Sequence, residues 1–213
     1  MIQKSTCHEH DAVKSQNTPR PHLDATGIGA VACARHGCFY PTGAVNFRKG
    51  EGLANLLYHA RIPTHVSFRH RFMDYAFVNA LRFVISCKVF LLMYDIMCQW
   101  YPRFPQRIES VHEALGVAPD FLQTLTIKRG IGLFHVHGHI KECYAQYAPS
   151  FIVGAGVVDG EVIETLWSVL NDTARSARSM TWWSRQEYLD CHMADSNWKK
   201  LVRMGAQIFS ANR

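Results

Sequence analysis

The sequence lacks anything long and apolar enough for a bilayer. Its run Phe83–Met93 is short, holds Lys88 and soon meets Asp95, which rules it out as a spanning helix. The opening MIQKSTCHEHD is polar and has no apolar core of a signal peptide. Internal repeats and low-complexity tracts are absent, so neither a repeat array nor a biased tail is expected. Charge is also sparse. With 48% hydrophobic, 12% aromatic and only 19% charged residues, the composition describes a globular chain and not a disordered one. Its 213 residues suit one domain with a full core, or one domain with an appendage. Acids are the scarcer sign, 17 against 23 Lys and Arg, for a net charge of +6. That modest bias permits nucleic-acid binding without establishing it.

Cysteine is plentiful but odd in number, seven in all. Without a signal peptide this points to reduced thiols in an intracellular protein. Two C-x-x-H pairs, Cys7 with His10 and Cys33 with His36, each supply a thiolate and an imidazole. Together they could make a tetrahedral zinc site, with His8 and Cys38 as spare candidates. Unrelated buried cysteines and surface histidines would give the same spacing. Val31–Ala34 reads as a short strand and Pro41–Glu51 as a turn with an extended piece. Gly52–Arg71 holds His59, His65, His70, Arg61, Arg69 and Arg71 and no acid. It reads as a phosphate-contacting loop or as an unstructured insertion.

Met73–Cys87 is expected to be a helix with Asp74 near its start. Val89–Tyr94, VFLLMY, is a continuous apolar run ending at Asp95, the pattern of a central strand buried on both faces. A carboxylate just past such a strand enters the crevice where α/β proteins keep their sites. A helix is expected over Ile96–Phe104, and a solvated helical element over Arg107–Gln123. Gly130–His139, GIGLFHVHGH, predicts a strand with His135, His137 and His139 on one face and Cys143 following. Those groups could ligate metal or serve as core polar residues.

Val157–Trp167, VVDGEVIETLW, predicts a turn and then an amphipathic helix. Asp159 suits an N-cap, and Val162, Ile163, Leu166, Val169 and Leu170 recur at helical spacing. Glu161 and Glu164 lie three apart and share another face. They can deliver acid to a cleft, although the helix dipole alone favours acids in a first turn. Ser184 and Glu187 form a capping box for a helix from about Arg185 to Met193, and Trp198–Met204 reads as a second short helix. Residues 173–213 carry Arg175, Arg178, Arg185, Lys199, Lys200, Arg203 and Arg213 against Glu187, Asp190 and Asp195, a net of +4. Cations flanking carboxylates suit a phosphate backbone at a metal site, and a solvated helix face looks much the same.

TCHEHDAV, GIGAVACARHGCF, KGE, FMDYAFVNAL, YDIMCQW, GIGLFHVHGHIKECY, APSFIVGAGVVDGEVIETLW and RQEYLDCHMADSNWKK, in this order, resemble the Kyakuja–Dileera–Zisupton (KDZ) transposases, DNA transposases abundant in fungi. YDIMCQ and DGEVIETLW around the H-x-H-x-H…C segment make the resemblance specific. It implies an α/β fold, an incomplete ribonuclease-H-like core with an N-terminal Cys/His zinc-binding-like segment. Such cores hold two divalent cations, Mg²⁺ or Mn²⁺, that activate a water or a DNA 3′-hydroxyl and stabilise the leaving oxygen. Carried over, Asp95 is the second catalytic acid and Glu164 the third, since E-T-L-W-S resembles the E-R-x-F-S of the hAT group. Glu161 is the close alternative. The C-x-x-H pairs also belong to the family pattern, which strengthens Zn²⁺ at Cys7, His10, Cys33 and His36.

The resemblance divides the chain into a Cys/His-rich segment over 1–51, a basic insertion over 52–71, the C-terminal part of the core over 72–204, and a tail over 205–213. The family's first Asp sits upstream of the Cys/His segment, where this chain starts, so that acid is expected to be missing. Asp11 and Asp24 are in the wrong context to replace it, and Asn46 stands where relatives often have Asp. The insertion reads, as a hypothesis, as a retained intron. Transcript reads crossing it uninterrupted would sink that idea. The expected function is thus a fragment of a DNA transposase, inactive or dependent on another chain, acting in the nucleus. Its partners would be transposon ends, a full-length transposase or a second copy, and no membrane. The alternatives are a non-catalytic zinc-containing DNA-binding module and the non-functional product of a decayed gene.

Overall fold

A computed structural model of the chain describes residues 7, 25, 27–47, 68–84, 86–110 and 112–211. His8, His10, Asp11, Asp24 and residues 48–67, which hold the K-G-E triplet and most of the basic insertion, lie outside the described residues.

The fold is mixed α/β, with two small sheets among the described residues. Strands β1 (Gly27–Cys33) and β2 (Cys38–Phe47) form an antiparallel hairpin. Gly37, at a φ of 61°, closes its turn, a conformation that suits a residue without Cβ. Helix α1 (Phe68–Leu81) follows. Strand β3 (Val89–Met93) pairs in parallel with β4 (Thr126–Gly130), from Val89 opposite Thr126 to Met93 opposite Gly130. Between them run α2 (Met97–Trp100), α3 (Phe104–Glu109) and α4 (His112–Leu115). After β4 come α5 (Leu133–Val136), α6 (Lys141–Tyr147), α7 (Val162–Asn171), α8 (Ala174–Ala177) and α9 (Trp182–Ala211).

The larger core gathers α1, α2, α3 and the residues just past both parallel strands. Trp100 is its centre. It stacks on Phe104 at 4.3 Å and meets the edges of Phe77 and Tyr94 at 6.0 and 5.7 Å. Such aromatic pairs add about 0.5–1.5 kcal/mol each beyond area burial. Beside it, Arg107 of α3 donates from Nε and Nη2 to the two carboxylate oxygens of Asp74 on α1, at 2.6 and 2.8 Å. Arg107 Nη2 also donates to the Trp100 carbonyl at 3.0 Å.

A smaller core joins Phe39 of β2 to Leu166 and Leu170 of α7 and Leu189 and Met193 of α9. Asn197 fixes the hairpin there. Its Nδ2 donates to the Phe39 carbonyl at 2.9 Å, and its Oδ1 accepts the Phe39 N–H at 2.8 Å. One amide side chain thus satisfies both backbone groups of a strand residue, as a neighbouring strand would.

Several expectations are corrected. Strand β3 pairs only with β4 among the described residues and is half-buried, with Val89 exposed. The helix expected over Ile96–Phe104 is broken, because Pro102 and Pro105 carry no N–H to continue it. The expected solvated element at Arg107–Gln123 instead begins inside the core, with Arg107 and Ile108 buried in α3. The strand expected over Gly130–His139 ends at its first residue and gives way to α5. The two expected C-terminal helices are one. Ala194–Asn197 contains no Gly or Pro to stop it, and Asp195 pairs with Lys199 one turn on, at 2.6 Å. This helix starts earlier than the Ser184 box, with Thr181 Oγ1 accepting the Ser184 N–H at 3.5 Å. No helix of the described residues is long and apolar enough to cross a membrane.

Candidate functional site

The parallel register brings β3 and β4 to an end at one level. Tyr94 N–H donates to the Gly130 carbonyl at 3.1 Å, so Asp95 stands just past the last rung. Beyond β4 the chain passes Gly132 and turns into α5, which carries His135. Leu133 N–H donates to the Asp159 carbonyl at 2.8 Å, and this bond brings in the segment entering α7. Asp159 does not cap that helix. Its Oδ1 accepts the Glu161 N–H at 3.0 Å, and α7 begins at Val162 with Glu164 in its first turn.

Two glycines let these segments meet. A Cβ on Gly132 would lie 2.7 Å from Glu161 Cδ, and one on Gly160 would lie 3.1 Å from Gly132 Cα and inside contact distance of Met93 Cε. Gly160 also has a φ of 77°, so a side chain there is excluded by both space and backbone.

His135 is the hub. Its Nδ1 lies 2.9 Å from Glu161 Oε2, and Glu161 Oε1 accepts the Phe134 N–H at 2.9 Å. Its Nε2 faces Asp95 Oδ2 at 3.7 Å and Glu164 Oε1 at 3.8 Å. Ligand-capable atoms of Asp95, His135 and Glu164 all fall within 4.8 Å of one another. The His135 and Glu161 side chains are about a fifth exposed, while Asp95 and Glu164 open further to solvent at 35% and 46%. Partial burial, then the negative charge of Asp95, hold the Glu164 carboxyl above the ordinary glutamate value, with Glu161 adding and His135 opposing. His135 thus presents both ring nitrogens to carboxylates, Nδ1 to Glu161 and Nε2 to Asp95 and Glu164. Asp95, His135 and Glu164 form a group that could hold a metal ion.

The other histidines part company. His137 lies against Tyr144, ring centroids 5.2 Å apart and tilted, and His139 turns to a different cluster. There Cys7, Cys98, His139 and Cys143 bring three thiols and an imidazole within 4.8 Å of one another, a set that could hold a metal such as zinc. Burial, then Cys98 and Cys7 close by, push the Cys143 thiol well up from its ordinary value. Cys7 therefore lies with Cys98, His139 and Cys143. Cys33 and His36 sit on the hairpin turn, Sγ to Nδ1 3.3 Å, in no group of three or more metal-capable side chains among the described residues. Cys38 Sγ donates to the His36 carbonyl there. Asn46 accepts from Arg185 Nη1 of α9. Sequence reasoning passed over Cys98. Its only signal was a thiol three residues after Asp95, one helical turn on.

No curated protein and no solved structure compared with the chain gives a significant match. A family model does, that of the Kyakuja-Dileera-Zisupton transposase, over residues 1–61 and 65–197, leaving only 62–64 between its two parts. With the model covering nearly the whole sequence, the chain belongs to the Kyakuja-Dileera-Zisupton transposase family.

Proposed function

We propose that Asp95, His135 and Glu164 bind a divalent cation, Mg²⁺ or Mn²⁺, for phosphodiester cleavage and strand transfer on DNA. Glu161 serves as the positioning residue for His135. One observation carries the reading: His135 Nε2 and two carboxylates face a common point past the ends of two parallel strands. That placement also supports a ribonuclease-H-like core, in which acids stand at strand ends and on a following helix. When bound, the cation supplies charge stabilisation at the attacked phosphate and at the departing 3′-oxygen. The chain's own groups fix its place, and the exposed Arg175 and Arg178 are available to the flanking DNA backbone.

Mn²⁺ binding, read by electron paramagnetic resonance, tests this without requiring turnover. The wild-type chain is expected to bind Mn²⁺ and to nick supercoiled DNA in a Mg²⁺- or Mn²⁺-dependent manner. Wild-type protein that binds no more Mn²⁺ than Asp95→Ala would sink the proposal. Salt-sensitive DNA binding without Mn²⁺ binding would assign the chain to the non-catalytic class.

Two further outcomes follow. Glu161→Gln keeps the size of the side chain but weakens its hold on His135 Nδ1. Gly132→Ala displaces the Glu161 carboxylate. Each is expected to lower Mn²⁺ affinity about 10–100-fold, the usual loss when a ligand's orienting partner is removed. Equal affinities in wild type and both variants would remove Glu161 from the site.

The pH dependence has a definite sign. A carboxyl raised above its ordinary value favours its neutral form in the folded chain. Without cation, the stability it contributes is present at low pH and is lost as pH rises through the raised value. Cation binding needs the carboxylate, so its stabilisation appears over the same window. Mn²⁺ is therefore expected to raise Tm at about pH 7.5 and to do so much less at about pH 4, below the ordinary glutamate value. Thermal melts at a fixed Mn²⁺ concentration provide the check, and equal shifts at both pH values would contradict the role of Glu164.

A further inference from the structure

The described residues hold a second metal-capable cluster, joined to the first by short stretches of chain. His139 Nδ1 is 3.2 Å from Cys7 Sγ and 3.5 Å from Cys98 Sγ, and Cys143 Sγ completes the group within 4.8 Å. A tetrahedral zinc centre with bonds of about 2.0–2.3 Å separates neighbouring ligand atoms by roughly 3.5–3.8 Å. The cluster is therefore close to the size such a centre needs. Cys7, Cys98 and Cys143 are at most 5% exposed, and none of the three is in a disulfide. The Cys7 carbonyl also accepts a hydrogen bond from Gln99 Nε2 at 2.5 Å.

The four side chains come from three places in the chain. Cys98 lies in α2, three residues after Asp95. His139 lies four residues after His135, and Cys143 lies in α6. Cys7 joins from far upstream. A cavity of about 430 Å³ lined by Cys7, His139, Ile140, Lys141 and Glu142 opens beside the cluster and offers a path for an ion.

We propose that Cys7, Cys98, His139 and Cys143 hold one structural zinc ion, with His139 ligating through Nδ1, and that this ion fixes the two segments carrying Asp95 and His135. A Cys₃His set is closed, with four protein ligands and no open position, so the role is structural. The ligand set differs from the C-x-x-H pairing of Cys7, His10, Cys33 and His36, with which it shares only Cys7.

Zinc content and the cobalt spectrum of the full chain test this, and neither depends on DNA cleavage. Purified wild type is expected to carry one zinc per chain. Its Co²⁺-exchanged form should show the thiolate charge-transfer and tetrahedral ligand-field bands of three sulfurs and one nitrogen. Cys98→Ala and Cys143→Ala are expected to lose the metal, while the double variant Cys33→Ala/His36→Ala retains it. Zinc-free Cys98→Ala that keeps its far-ultraviolet circular dichroism is expected to bind Mn²⁺ about 10–100-fold more weakly. Four results would overturn the proposal: wild type that binds neither zinc nor Co²⁺; a disulfide among the three thiols found by mass spectrometry; zinc retained by Cys98→Ala but lost from Cys33→Ala/His36→Ala; or unchanged Mn²⁺ affinity in zinc-free, folded Cys98→Ala.

Discussion

Asp95→Ala is expected to abolish Mn²⁺ binding and to lower any metal-dependent DNA nicking by at least ~10²–10³-fold, the scale on which a single preorganised electrostatic contact contributes. The reasoning starts from place. Asp95 is the carboxylate at the end of β3, and Glu164 reaches the same point from a helix 69 residues later in the sequence. Removing Asp95 leaves His135 Nε2 and one half-exposed carboxylate, too few hard ligands to hold Mg²⁺ or Mn²⁺ in place. The fold should survive, because the Asp95 side chain is 35% exposed and the aromatic core behind it is untouched. Asp95→Asn provides the isosteric control. Circular dichroism must match wild type while Mn²⁺ binding disappears. Nicking that persists at the wild-type rate in both variants would locate the chemistry elsewhere.

The largest expected effect on stability lies away from the site. Asp74→Ala leaves Arg107 as an unpaired cation in the core, where both side chains are at most 4% exposed. Breaking a buried pair from one side costs about 3–5 kcal/mol. For a chain of this size that corresponds to a Tm lower by roughly 6–20 °C. Burial pushes the Asp74 carboxyl up from its ordinary value, and the hydrogen bonds from Arg107 pull against that shift. The pair is thus costly to desolvate, and its effect is felt mainly when one half is removed. The double variant Asp74→Leu/Arg107→Met is accordingly expected to be far milder than Asp74→Ala. Urea unfolding of the three proteins measures the difference. Asp74→Ala within about 1 kcal/mol of wild type would mean that the pair is not closed in solution.

How much of this was legible in the sequence varied by element. VFLLMY followed by an acid announced a strand with a carboxylate at its end, because that pattern needs only local information. The spacing of Glu161 and Glu164 placed two acids near one helix start. Their different tasks were invisible, because the split depends on which one His135 Nδ1 reaches. The histidines were seen as candidate ligands, and His135 and His139 do join metal-capable groups, but the shared face was wrong. H-x-H-x-H implies one face only if the backbone is extended, and after Gly130 it coils into α5, so the three rings go three ways. Cys98 was hidden for another reason. Within the aromatic YDIMCQW it reads as core, and its partner Cys7 stands far away in sequence, a distance that no spacing rule bridges. Arg107 likewise reads as a surface cation until Asp74 is seen opposite it.

The in-register parallel pairing of β3 and β4 also bears on how the chain reaches its folded state. Asp95 is made early, but β4 is a further 31 residues on and α7 later still. Each meeting closes a long loop before it gains any contact. A growing chain therefore passes through a long interval with one isolated carboxylate and no cation site. The proposed metal site is complete only when the turn before α7 meets the ends of the two strands. A protein ended before Glu164 should bind no Mn²⁺ at this crevice, however well its larger core has formed.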